Sequence, residues 1–386
     1  MGFSLFSLGY DWKELRRFES LKNNDRTIVF YAENKASLNH FKLLISELTE
    51  KMNLTICYVT SVKDDLMFAN KNRKIKTFYI GDGTARTKFF LTLKTKILIM
   101  DMPDLNSFHI KRSKIYPVHY VYIFHSMFSM HSYLRKGAID NYDTIFCVGE
   151  HHVNEIKETE RIYNLKPKKL IKYGFGRLDT LLDEKKPHTY NLISNNLVLI
   201  VPSYGDKNLL EICGIELIDK LLKSHFKVLL RPHFRTLKNS KKLLDLIKEN
   251  FGDNPNFILE NGIIPPDLFH RSLCMISDWS GISLEYAFTF ERPIIFIDVP
   301  KKNLNPNVDD ISLEPIEISI RNKIGNVVSP NNLEDIPKLV KNLEKNDHDI
   351  EEQIRSIRSK TVYNIGYSAT VGAKYIQQLM ESNYSE

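Results

Sequence analysis

Short runs of β-branched and aromatic residues recur along the first half of the chain: Thr27 to Ala32, Leu54 to Thr60, Lys76 to Gly81, Thr95 to Asp101, His119 to Ser126, Thr144 to Gly149 and Lys169 to Gly174. Several are apolar almost throughout, as strands buried on both faces must be. Between the first two, Ser37 to Met52 carries Leu38, Phe41, Leu44, Ile45 and Leu48 at helical spacing. Strands alternating with helices predict a parallel sheet flanked by helices.

A polar stretch from Asp183 to Asn196 interrupts the series, which then resumes with Leu197 to Pro202, Phe226 to Arg231, Asn256 to Glu260, Leu273 to Ser277 and Pro293 to Val299. The expected organisation is therefore two α/β domains, residues 26–193 and 194–345. An amphipathic segment (1–25) precedes them and a mostly helical tail (346–386), interrupted near Gly366, follows. In the leading segment Phe3, Leu5, Phe6, Leu8, Trp12, Leu15 and Phe18 interleave with Lys13, Arg16 and Arg17. That pattern fits either an anionic membrane surface or a helix packed on the first domain.

Composition narrows the functional classes. With 386 residues, 42% hydrophobic and 26% charged, the chain can bury a large core and is not a disordered polymer. No run approaches the roughly 20 apolar residues that span a bilayer. Cys57, Cys147, Cys213 and Cys274 are widely spaced, which argues against a zinc ribbon or a disulfide scaffold and for a reducing, cytoplasmic setting. The net charge of +7 favours an anionic partner. Nucleic acid is not expected, because the basic residues are spread and no recognised domain signature appears.

Ligands of open parallel sheets bind beyond the carboxyl ends of the strands, and unusual polar residues gather there. His125 and Ser126 follow one strand, Gly174 to Arg177 with Asp179 another, and Pro202 and Ser203 a third. Arg231-Pro-His233 and Ser277-Asp-Trp-Ser-Gly281 follow two more. An imidazole at His125 can accept a proton from a hydroxyl. Arg231 and His233 suit a pyrophosphate or a phosphate leaving group. Ser280 is expected to cap a helix running to about Phe290, with Gly281 admitting an anion to the helix amides. Asp278 and Glu285 would fix that turn or accept hydrogen bonds from ribose hydroxyls. An ordinary capped helix and a surface loop with one structural histidine are the plainer readings of the last two clusters. His119 and His131 match no metal-ligand spacing, and His151 and His152, opening a polar helix, are expected at the surface.

Taken together these motifs resemble the CDP-glycerol glycerophosphotransferase family, which makes teichoic acids and related capsule or O-antigen polymers. His125-Ser126 resembles the family's His-Gly, and Gly174-Phe-Gly-Arg-Leu-Asp179 its Gly-x-Pro-Arg-x-Asp. Arg231-Pro-His-Phe234 resembles Arg-Pro-His-Pro, and Ser277-Asp-Trp-Ser-Gly281 with Glu285 resembles Ser-Asp-Tyr-Ser-Ser with a following acid. The resemblance implies a GT-B fold, two Rossmann-like domains facing a cleft with a C-terminal helix crossing back. It implies transfer of glycerol phosphate or ribitol phosphate from a CDP-linked donor to a lipid-linked polysaccharide acceptor, with release of CMP, at the inner face of the cell membrane. His125 would be the base and His233 a second catalytic group. Arg231, Ser277, Ser280 and Gly281 would hold the donor phosphates, and Asp278, Glu285, Pro202 and Ser203 the nucleotide. Ser126, Gly174, Arg177 and Asp179 would line the rest of the cleft. No tightly bound cofactor or metal is expected, while the need for a divalent ion stays open. A GT-B glycosyltransferase using a nucleotide-diphosphate sugar and a non-catalytic scaffold of the assembly machinery are the competing readings.

Overall fold

A computed structural model of the chain describes residues 5–184, 196–261, 266–301, 304–345 and 347–382. Most of the polar stretch between the two strand series lies outside the described residues. The first series forms a seven-stranded sheet of β1 (Ile28–Ala32), β2 (Ile56–Thr60), β3 (Ile75–Tyr79), β4 (Ile97–Met100), β5 (His119–Ile123), β6 (Thr144–Cys147) and β7 (Lys169–Lys172). Their order is β3-β2-β1-β4-β5-β6-β7, every pair parallel. The second series gives β8 (Leu197–Ile200), β9 (Lys227–Leu230), β10 (Phe257–Leu259), β11 (Ser272–Ser277), β12 (Ile294–Ile297) and β13 (Gly325–Val328). They are ordered β10-β9-β8-β11-β12-β13, again all parallel. Each predicted strand forms; β13, with Gly325 and Asn326 in a four-residue run, is an addition.

Burial explains the apolar runs: β1, β2, β4, β6 and β8 are buried at every position, covered by helices on both faces. The edge strand β7 instead exposes Lys169 and Lys172, charges that discourage pairing with another chain. The predicted helix Ser37 to Met52 is an α-helix over Ser37–Ser46 that loosens into a π turn over Glu47–Lys51.

The opposite edge is covered by the N-terminal helix (Leu5–Glu19), whose Leu15 and Phe18 are in the core. The Phe18 ring stands 5.4 Å from Phe78 and 5.2 Å from Phe89. Packing on the first domain therefore accounts for that half of the amphipathic segment, each buried side chain contributing roughly 1.5–3 kcal/mol. Phe3 lies outside the described residues.

The tail divides between the domains. Its helix Asp347–Thr361 packs on the second domain, where Arg355 pairs with Glu291 at 2.8 Å. The final helix Ser368–Glu381 crosses back onto the helix Ser37–Ser46 and β4 of the first. Two motif residues make this crossing rather than lining a cleft. Gly174 has a φ of +107°, and a Cβ there would lie 2.3 Å from the Tyr363 carbonyl oxygen, so only glycine fits. Asp179, buried, accepts from the Gly366 amide at 2.7 Å, the Ser368 amide at 3.1 Å and the Ser368 hydroxyl. Its carboxylate is thus used to start the last helix, a correction to its expected place in the cleft. Asp179→Ala leaves the buried Ser368 amide and the half-buried Gly366 amide without this acceptor and is expected to cost roughly 1–3 kcal/mol. The urea midpoint measures this; a loss below about 1 kcal/mol would show that the clamp is dispensable.

Candidate active site

The two sheets present their carboxyl ends to each other. His125 stands two residues beyond β5, and its Nδ1 lies 3.2 Å from the carbonyl oxygen of Asp101, just beyond β4. A carbonyl only accepts, so Nδ1 carries the proton and Nε2 keeps the basic lone pair. Burial holds the imidazole below its ordinary pKa, hence neutral near pH 7. Tyr133 and His40 flank the ring, with centroids 5.7 and 6.3 Å away. His40 is itself buried and pushed down to about 3 by desolvation, then by the neighbouring His125 and Arg177 charges. The Asp101 carboxyl, pushed up to about 7 by burial, accepts from the Ser37 hydroxyl at 2.9 Å. It thereby ties the start of the helix Ser37–Ser46 to the end of β4, whose Asp101 carbonyl meets His125.

Ser126 closes its own turn, its Oγ accepting from the Phe128 amide at 3.1 Å. The same oxygen would be 3.7 Å from a Cβ on Gly281, so the first domain's turn after His125 reaches the second domain's helix Ile282–Phe290. One turn into that helix Glu285 accepts from Arg177 Nε at 2.7 Å, an ion pair between domains. Arg231 directly follows β9, its guanidinium pKa lowered, first by burial and then by the Arg177 cation, against Glu260 and Glu285. Arg177, Arg231 and Glu285 thus form one electrostatic cluster. His233 opens the helix Phe234–Asn239 and its Nδ1 accepts from the Arg235 amide at 3.1 Å. In the neutral ring the proton therefore sits on Nε2, the reverse of His125. Tyr204 and Phe234 pack against this imidazole as tilted rings, with centroids at 4.6 and 4.4 Å.

Several expected ligand residues instead build the frame. Asp278 is 1% exposed. Its Oδ1 accepts from the Ser203 and Trp279 amides, both at 2.7 Å, and its Oδ2 from Leu209 N at 3.0 Å. It therefore locks the loop after β8, Pro202 included, to the loop after β11, and its oxygens are engaged by its own chain. Ser277 Oγ donates to the Val201 carbonyl at 2.7 Å and is fully buried, which removes it from the phosphate contacts. Ser280 is not the cap: Gly281 occupies that position and no side chain caps the helix. Ser280 contributes its carbonyl, which accepts from the Ser283 amide at 3.1 Å and hydroxyl at 2.8 Å. Ser203 Oγ, by contrast, is buried without a hydrogen-bond partner.

His151 and His152 are not surface residues either. Their Nε2 atoms reach the Met127 and Phe128 carbonyls at 3.0 and 2.9 Å, bracing the turn beyond His125, and burial pushes His152 down to about 3. The second domain braces the same turn: Glu317 accepts from the Ser129 amide at 3.0 Å and from Ser132, and His131 Nε2 meets the Leu313 carbonyl at 3.0 Å. Among the described residues no cluster of three or more His, Cys, Asp or Glu could hold a metal ion.

The bare helix start has a testable consequence. Gly281 has an ordinary φ of −59°, and a Cβ there would make only an ordinary contact, 3.7 Å from Ser126 Oγ. Gly281→Val should therefore fold normally while its methyl groups screen the helix amides, lowering CDP-glycerol affinity about tenfold, or 1.4 kcal/mol. Calorimetric titration showing unchanged affinity would place the phosphates elsewhere.

A family model described as CDP-Glycerol:Poly(glycerophosphate) glycerophosphotransferase matches residues 14–303. Comparison with curated proteins finds no match. Among solved structures, the chain resembles a UDP-N-acetylglucosamine 2-epimerase from Listeria monocytogenes, described as putative, with a TM-score of 0.61 at 13% identity, covering 94% of this chain and 99% of that one. It also resembles the wall teichoic acid polymerase TagF soaked with CDPG, with a TM-score of 0.53 at 15% identity and coverage of 97% and 95%. A Rickettsia africae glycosyltransferase gives 0.58 at 12% identity, covering 93% and 100%. At such identities the likeness establishes the fold: GT-B.

Proposed function

Because this chain belongs to the CDP-glycerol:poly(glycerophosphate) glycerophosphotransferase family, we propose that it moves a polyol phosphate, glycerol phosphate or ribitol phosphate, from a CDP-linked donor to a hydroxyl of a surface-polysaccharide intermediate. In this reading the acceptor is lipid-linked and the enzyme works at the inner face of the membrane; among the described residues no helix is long and apolar enough to cross it.

His125 Nε2 takes the proton of the acceptor hydroxyl as its oxygen attacks the phosphorus next to the polyol. The bond from that phosphorus to the bridging oxygen breaks, and CMP leaves with the electron pair. Negative charge growing on the leaving phosphate is met by Arg231, by Nε2–H of His233 and by the amides at the start of the helix Ile282–Phe290. Preorganisation is supplied by the Arg177–Glu285 pair, which holds the two domains together beside Arg231.

The observation that carries this reading is the proximity of Ser126 to Gly281, which sets a histidine with a free lone pair opposite an uncapped helix N-terminus. Incubation with CDP-glycerol, CDP-ribitol and UDP-sugars, following CMP or UDP release, tests it. CMP release from a CDP-polyol with transfer to acceptor is the expected result. UDP release alone would make the protein a glycosyltransferase, and no release from any donor would make it a scaffold.

A further inference from the structure

In the first sheet the chain runs outward from β1 to β3 and then returns to β4 on the other side, so the crevice between the ends of β1 and β4 is its switch point. A cavity of about 270 Å³ opens there. Glu33, just past β1, and Met102, just past β4, line it with Arg86, Asp104, Phe108 and His109. Met102 follows Asp101, whose carbonyl receives His125 Nδ1. The cavity therefore lies at the β4 end, whose Asp101 carbonyl holds the base carried by the neighbouring β5.

The lining has an uncommon make-up. Phe108 is 62% exposed, yet it is not on a loose loop. Asp104 and Asn106 both take left-handed backbone, with φ of 70° and 71°. The Asn106 amide donates to the Ile110 carbonyl at 2.8 Å. Arg135 donates to Asp104 at 2.6 Å while its guanidinium lies 4.6 Å from the Phe108 ring centre. At the other wall Arg86 Nη1 approaches Glu33 Oε1 at 3.4 Å, and Arg86 Nε is buried without a hydrogen-bond partner. Both arginines already face a carboxylate, so a phosphodiester would meet Glu33 and Asp104 with little cationic field to offset their repulsion. Hydroxyl groups suit a carboxylate beside a guanidinium, and the C–H face of a pyranose suits an exposed aromatic ring.

Building on the transfer reading above, we propose that this cavity is the acceptor subsite and that it holds a neutral sugar ring, stacked on Phe108 with its hydroxyls on Glu33 and Arg86. The acceptor hydroxyl delivered to His125 is then that of a glycosyl terminus rather than of a phosphodiester-linked polyol chain.

The test uses the full-length chain with two probes, the neutral disaccharide diacetylchitobiose and a glycerol phosphodiester dimer. Saturation-transfer NMR and calorimetry should detect the disaccharide, with Phe108→Ala and Glu33→Gln each raising its Kd tenfold or more. CDP-glycerol affinity, read on the same samples, should change less than twofold. Binding of the phosphodiester without the disaccharide, or a disaccharide affinity indifferent to both substitutions, overturns the proposal. Disaccharide binding that depends on Phe108 in a protein that ignores CDP-glycerol would uphold the subsite and sink the donor reading instead.

Discussion

Replacing His125 by alanine is expected to lower turnover by about 100- to 10,000-fold while CDP-polyol affinity changes by less than roughly twofold. The proton on Nδ1 is committed to the Asp101 carbonyl, so the lone pair on Nε2 is the part of the ring that alanine removes from the reaction. In the proposed mechanism that lone pair acts on the acceptor, not the nucleotide, which is why rate and donor binding should separate. Burial lowers the His125 pKa, and the active form is the neutral one. Activity should therefore fall as the pH drops through the depressed value, giving an acid limb below the ordinary imidazole pKa. Loss of donor affinity in His125→Ala, or an acid limb above pH 7, would reassign the base.

Arg231→Ala should cost about 100- to 1,000-fold in kcat, the effect of removing one preorganised partner of developing charge. The guanidinium is half-buried beside Arg177 and Glu285, where a charge acts more strongly than in water. Glu285 keeps its own partner, since Arg177 remains 2.7 Å away, so the domain arrangement should survive the substitution. Arg231→Lys restores the charge without the planar fork and should recover only part of the rate. Single-turnover measurement of CMP release separates this from product dissociation. An unchanged rate in Arg231→Ala would remove it from the leaving-group site.

What the sequence determined alone was the architecture and the strand ends at which chemistry is placed. A strand covered by helices on both faces must be apolar at successive positions, so runs such as those of β1, β4 and β8 announce themselves without any knowledge of their partners. The placement of His125, Arg231 and Gly281 beyond strand ends was legible because each follows such a run. β13 was not, since Gly325 and Asn326 at the outer edge of the second sheet leave too little apolar signal.

Only the tertiary structure decided which polar residues face a ligand and which hold the frame. A carboxylate looks the same in sequence whether it meets a ribose or backbone amides, and Asp278, with three amides, and Asp179, with two, proved to do the latter. His151 and His152 sit in a polar helix and read as surface residues until Met127 and Phe128 supply carbonyls for them. His40 and Asp101 come from elements far from His125 in the chain, and no local spacing links the three. Periodicity reports how much of an element is buried; the direction in which a hydrogen bond points is set by groups that folding brings from elsewhere.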